Sequence, residues 1–236
     1  MRSFVFLAAG AAAALLSVQA AQASTVLAFD DFESYGPAQA DFTGFTGLNV
    51  IGSVDLLQDA GIVSTPYGAG FVDLDGSATG TGRLETDAFA FQAGDLVTFE
   101  FDYAGNRQGT FDSLFFGFKS PGLFTFKDVT ITNGAVVNTT SQLIASSFGT
   151  SVGSLSPAAP WTHVTFTFTA GSTGSLAAYV GTTSSDARGP LLDNLKLSVG
   201  APASAAPEPA GWAMMLLGFG GAGTLLRRRR AAVAAV

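Results

Sequence analysis

Asp95-Leu96-Val97-Thr98-Phe99-Glu100-Phe101-Asp102-Tyr103 is the stretch that decides the fold class. Val97, Phe99, Phe101 and Tyr103 fall on one side of an extended chain, and Leu96, Thr98, Glu100 and Asp102 on the other. A period of two with one apolar side predicts a half-buried strand in an antiparallel sheet. Trp161-Thr162-His163-Val164-Thr165-Phe166-Thr167-Phe168 repeats the pattern, with Val164, Phe166 and Phe168 inward. Between the two, Asn133-Gly134 separates Val129-Thr130-Ile131-Thr132 from Ala135-Val136-Val137. Both turn residues tolerate positive φ, so a hairpin is expected there. Further strands are expected over 25–32, 50–57, 70–75, 83–91, 111–118, 175–180 and 191–199. Nothing between Ser24 and Gly200 shows helical periodicity, and no internal repeat is present. About ten short strands separated by Gly, Ser and Asp turns predict an all-β domain, an antiparallel β-sandwich of the jelly-roll kind.

Composition agrees. Of 236 residues only 12% are charged, while 29 are Gly and 21 are Phe. That is too apolar and aromatic for a disordered chain and suits one turn-rich β domain. Cysteine is absent, which excludes thiol catalysis, zinc thiolate sites and iron–sulfur clusters. Charge is segregated. Between Ser24 and Ala206 there are six basic and seventeen acidic side chains, and no Lys or Arg occurs between Arg2 and Arg83. Such a surface repels phosphate backbones, so no nucleic acid partner is expected, but it suits divalent cations. Acidic groups also serve simply to keep a Phe-rich domain soluble.

The two ends stand apart from the domain. Arg2, an apolar run from Phe4 to Leu16 and the small-residue box Ala21-Gln22-Ala23 form a three-part secretory signal over residues 1–23. The run is short for a retained anchor, so signal peptidase is expected to cleave after Ala23. At the other end, residues 201–206 form an Ala/Pro/Ser linker. Pro207-Glu208-Pro209 follows, then the uncharged residues 211–226 opened by Trp212, then Arg227, Arg228, Arg229 and Arg230. As one short transmembrane helix, 211–226 spans about 24 Å against a hydrocarbon core of about 30 Å. Trp212 suits the outer interface, and the arginines hold their end in the cytoplasm.

The tail from Pro207 to Arg230 closely resembles the PEP-CTERM sorting signal, in its Trp-Ala-Met-Met variety. The resemblance implies processing by an exosortase, a membrane transpeptidase acting near the Pro-Glu-Pro box. It implies a location in the envelope, at the surface or in the extracellular matrix of a Gram-negative bacterium that makes exopolysaccharide or biofilm. The C-terminal helix would touch the membrane at least transiently. Glu208 belongs to this recognition sequence and is not read as catalytic. Within 24–200, Asp31-Phe32-Glu33, Val72-Asp73-Leu74-Asp75-Gly76, Phe101-Asp102-Tyr103-Ala104-Gly105-Asn106 and Gly189-Pro190-Leu191-Leu192-Asp193-Asn194-Leu195-Lys196-Leu197 resemble galactose-binding-like jelly rolls related to carbohydrate-binding modules. The resemblance implies that the first and last strands pair, and that a structural Ca²⁺ sits there among acidic side chains from both.

Ca²⁺ takes six to eight oxygens in flexible geometry, which makes Asp31, Glu33 and Asp193 candidate ligands. The alternative is a group of solvated strand-end acids. Asp73 and Asp75 are a second same-face pair, although Asp75-Gly76 also suits a turn. For sugar, Tyr67, Tyr103 and Trp161 offer stacking rings, and Asn106 and Arg107 offer hydroxyl partners; each serves equally as core or rim packing. Catalysis is poorly supported. His163 points away from the core with no marked serine to activate, Gly-x-Ser-x-Gly is absent, and Glu100 and Asp102 are neighbouring carboxylates of a common strand type. No phosphate-binding loop leads from a strand into a helix. The expected protein is exported and non-catalytic and contacts polysaccharide; the rival is a purely structural or adhesive matrix protein that binds no sugar.

Overall fold

A computed structural model of the chain describes residues 24–58, 68–77 and 80–200. The expected signal peptide (1–23), linker (201–206), sorting tail (207–230) with its helix over 211–226, and Tyr67 lie outside these residues. Among the described residues no helix is long and apolar enough to cross a membrane.

The strands are β1 (Ser24–Asp30), β2 (Leu48–Gly52), β3 (Asp55–Gln58), β4 (Gly70–Asp73), β5 (Asp75–Gly76), β6 (Gly80–Thr86), β7 (Phe89–Phe91), β8 (Leu96–Ala104), β9 (Asp112–Asn133), β10 (Val136–Leu155), β11 (Thr162–Ala170), β12 (Gly174–Gly181) and β13 (Leu191–Gly200). One turn of 3-10 helix covers Glu33–Tyr35. The path through the sheet is β2-β6-β12-β9-β11-β8-β13-β4-β3, with β1 added to β13 and β10 to β9. Every ladder is antiparallel.

The sheet folds back on itself through β9. Its first half pairs with β12 over Phe115–Lys119, and its second half pairs with β11 from Phe126 onward. Pro121 falls where neither strand needs its missing N–H, the position at which a strand tolerates proline. The consequence is visible in the rings. Phe118, in the first half of β9, meets Phe99 of β8 and Phe166 and Phe168 of β11 edge-on at 5.8, 5.1 and 4.9 Å. None of these three is a ladder neighbour of Phe118, so two halves of one curled antiparallel sheet face each other. The alternation read in β8 and β11 holds: Val97, Phe99, Phe101, Val164, Phe166 and Phe168 are all fully buried. Each such side chain contributes roughly 1.5–3 kcal/mol of burial.

The hairpin between β9 and β10 forms one residue later than its motif suggested. Asn133 pairs with Val136, so Gly134 and Ala135 make the turn, with Gly134 at φ 55°. Asn133 becomes the last strand residue, and its Oδ1 accepts the Tyr103 hydroxyl at 2.8 Å. The largest departure is β10 itself, since only its start was expected. Its side chains are mostly exposed, so it carries little hydrophobic alternation to read. Asp75-Gly76 forms a short strand against β6 rather than a turn.

Candidate functional site

The first and last strands do pair, from Ser24 opposite Gly200 to Asp30 opposite Leu195. Two left-handed residues shape the end of this ladder. Phe32, at φ 57°, turns the chain out of β1 and drops its ring into the core. Asn194, at φ 52°, occupies a break in the β13–β8 register; asparagine tolerates this conformation. The bulge brings Asp193 into the field of Asp102, Glu33 and Asp31. Asp193 is 1% exposed; its Oδ1 accepts the Asn194 N–H at 2.7 Å, while Oδ2 is buried with no partner. Burial first, and then the neighbouring carboxylates, push its pKa up to about 7. Glu33 Oε1 accepts the Gly70 N–H at 2.8 Å. Gly70 is required here, because a Cβ would lie 2.3 Å from the Phe32 carbonyl oxygen. The sequence-derived trio Asp31, Glu33 and Asp193 therefore shares one locality. Among the described residues, however, no three His, Asp or Glu side chains gather closely enough to hold a metal ion as they stand.

The sugar-contact set does not form a surface. Tyr103 is 5% and Asn106 3% exposed, a correction to their expected role. The Tyr103 ring belongs to the core, and both ends of the Asn106 amide are engaged, Nδ2 by the Arg188 carbonyl and Oδ1 by the Gln108 N–H. Arg107 is exposed, but its Nη1 donates to the Ala158 carbonyl at 2.6 Å, fastening one loop to another. Trp161 is half-buried against Phe71, ring centroids 6.1 Å apart. The outward side of β8 and β11 gathers acid–base pairs. His163 Nδ1 lies 2.9 Å from Asp102 Oδ1, and Lys196 Nζ lies 3.0 Å from Glu100 Oε2. Among the described residues no hydroxyl is hydrogen-bonded to the His163 ring.

A different face combines rings with polar groups. Asn49, Glu85, Tyr179, Gly117 and Gly149 stand opposite one another in one row across β2, β6, β12, β9 and β10. Tyr179 is flanked by the Arg83 guanidinium at 5.7 Å from its centroid and by the Phe115 ring at 6.0 Å. The paired glycines admit this ring, since a Cβ on Gly149 would lie 2.7 Å from the Tyr179 hydroxyl. Burial raises the Tyr179 pKa and the nearby Arg83 charge partly offsets the rise, so the phenol stays neutral. Glu85 is clasped between Arg83, at 3.3 Å, and Lys119. Beside it, a groove of about 410 Å³ is lined by Asn49, Glu85, Asp87, Lys119, Ser120 and Ala177 among others. Asn49 Nδ2 donates to Asp87 Oδ1 at 3.1 Å. Rings beside paired donors and acceptors suit a polyhydroxylated ligand. Sequence reading passed over Tyr179, yet the alternation Leu176, Ala178, Val180 inward leaves it as the outward aromatic of its strand.

No family model and no curated protein matches the chain. Solved structures with some likeness to it include the arabinose-bound MgGH51 α-L-arabinofuranosidase, 11% identical, with TM-score 0.43 over 72% of this chain and 25% of that one. The K3 cleaved adhesin domain of Lys-gingipain from Porphyromonas gingivalis is 14% identical, with TM-score 0.40 over 75% and 99% of the two chains. The family 11 carbohydrate-binding module of the cellulase Lic26A-Cel5E from Clostridium thermocellum is 15% identical, with TM-score 0.22 over 79% and 100%. The chain thus spans about a quarter of the arabinofuranosidase and nearly the whole of the adhesin and carbohydrate-binding domains.

Proposed function

We propose that this chain is an exported protein of the bacterial cell envelope or extracellular matrix, delivered by its C-terminal sorting signal, whose jelly-roll sandwich contacts polysaccharide without catalysis. The observation that carries the reading is the order of residues from Pro207 to Arg230: a Pro-Glu-Pro box, a run too short for an ordinary anchor and an arginine cluster. Signal peptidase and an exosortase are then its processing enzymes. Polysaccharide contact is assigned to the row of Asn49, Glu85 and Tyr179 with Arg83, Phe115 and Lys119. The rings stack on a pyranose face, and the Asn49 amide and the two cations that clasp the buried Glu85 meet its hydroxyls. A structural Ca²⁺ fits at Asp193, with Glu33 and Asp31, because a buried carboxylate oxygen there lacks any partner among carboxylates that repel it. When bound, the ion would neutralise the end of the β1–β13 ladder.

One observation favours the rival reading. β10 pairs only with β9 among the described residues, and its twenty residues carry no charge. A long uncharged edge is open to pairing with another strand, as an adhesive or self-assembling matrix protein requires. A glycan array probed with residues 24–200, with and without calcium, separates the readings. Binding to defined glycans supports the proposal; no binding in either condition favours the purely structural protein.

A further inference from the structure

A second group of carboxylates lies on β5, at the start of β9 and in the loop that follows β12, and it shares no member with the group around Asp193. Asp75, on β5, is fully buried; its Oδ2 accepts the Asp186 N–H at 2.9 Å, but its Oδ1 is buried with no partner. Asp112, the first residue of β9, is 2% exposed, and neither of its oxygens makes a hydrogen bond of normal geometry, although the Ser184 hydroxyl is close. Asp186, whose Oδ2 accepts the Thr110 hydroxyl at 3.2 Å, completes the group. Three buried carboxylate oxygens therefore make no hydrogen bond of normal geometry, although backbone N–H groups of residues 186–188 face Asp75 and the Ser184 hydroxyl faces Asp112.

No cation of the protein answers them. The five ion pairs among the described residues involve Glu85, Glu100 and Asp102, and none of them involves Asp75, Asp112 or Asp186. Burial raises the pKa of Asp112 to about 6 and that of Asp75 above its ordinary value, and each carboxylate feels Asp186. Bare buried carboxylates that repel one another are costly, and either protons or a cation must relieve them. Asp73, next along the chain, is different: its Oδ1 accepts the N–H groups of Asp75 and Gly189 at 2.9 and 2.7 Å, a structural task.

We propose that Asp75 and Asp112, with Asp186 beside them, bind a calcium ion that fastens the 182–190 loop to the 105–111 loop and to β5. No three acidic side chains converge on a single point there, so the ion draws its remaining oxygens from neutral groups and water. Ser184 Oγ, held by the Ser113 N–H at 3.0 Å, is the nearest hydroxyl to Asp112. Calcium accepts such mixed and irregular oxygen sets, whereas Mg²⁺ demands a near-ideal octahedron. This site does not depend on the proposed polysaccharide contact or on the calcium at Asp193.

The test uses the full-length protein. Calcium bound per chain is counted by elemental analysis after removal of free ion, and melting is followed in EGTA and in Ca²⁺, for wild type, Asp112→Asn, Asp75→Asn and Asp193→Asn. Asp112→Asn and Asp75→Asn are each expected to lose one calcium per chain and part of the calcium-dependent rise in melting temperature. In EGTA both should melt no lower than wild type, because a bare buried charge has gone. Asp193→Asn should leave this calcium in place. The inference is overturned if Asp112→Asn binds as much calcium as wild type, if the wild-type protein binds none, or if Asp112→Asn melts below wild type in EGTA.

Discussion

Replacing Phe118 by alanine tests whether the two halves of the sheet close over one core. Phe118 is fully buried and meets Phe99, Phe166 and Phe168 at 5.8, 5.1 and 4.9 Å, all edge-on. Truncating a buried phenylalanine costs about 3–5 kcal/mol. With a urea slope of about 2 kcal/mol/M for a domain of this size, the unfolding midpoint of residues 24–200 should fall by roughly 1.5–2.5 M. Phe115, on the opposite side of the same strand and only partly buried, serves as the control and should cost clearly less. The sharper measurement is a double-mutant cycle between Phe118 and Phe99, which are brought together only by the folding back of β9. An edge-on aromatic pair predicts coupling of about 0.5–1.5 kcal/mol. If the two substitutions add independently, the halves do not face each other as described and the packing argument fails.

Tyr179→Ala should weaken binding to any glycan found on the array at least tenfold, on the order of 1.4 kcal/mol, while lowering the unfolding midpoint less than Phe118→Ala does. Unaltered affinity would remove the β2–β6–β12–β9 face from the proposal. Asp73, Asp193 and Asp112 have pKa values raised to about 8, about 7 and about 6, in each case chiefly by burial. The folded chain therefore holds protons that the unfolded chain releases, so in EGTA the urea midpoint should be higher near about pH 5.5 than near about pH 8.5, with stability lost as pH rises through this window. A midpoint that rises with pH contradicts it. For the calcium at the terminal strands, melting temperature should rise with Ca²⁺, and Asp193→Ala should remove the part of that rise due to this site; an unchanged melt ends that idea.

The strands that build the core were legible because one side of each is apolar. Val97, Phe99 and Phe101, and Val164, Phe166 and Phe168, gave both the strand and the buried side. β10 was not legible, since an edge strand exposed on most of its length needs no alternation; Leu143, Phe148, Val152 and Leu155 are its few contacts with the core. The Asn133-Gly134 motif located the hairpin but not its register, in which Asn133 is the last strand residue and accepts the Tyr103 hydroxyl from far away in sequence. Asp31, Glu33 and Asp193 were brought together by a resemblance that implied pairing of the terminal strands, and spacing alone could not have done so. Tyr103 and Asn106 show the opposite failure. A ring or an amide at the end of a strand looks available for a ligand until the loops that bury it are placed. Asp112 was not singled out, because a lone aspartate before a strand carries no local signal that it will meet Asp75 and Asp186.

The proposed sorting role of residues 207–236 is open to a direct test. The direct measurement compares cell fractions from an exosortase-containing Gram-negative host making either the intact chain or one lacking residues 207–236. If the tail sorts the protein, the intact chain reaches the envelope surface or matrix and the shortened chain is redistributed to other fractions. Identical distributions of the two chains would contradict it.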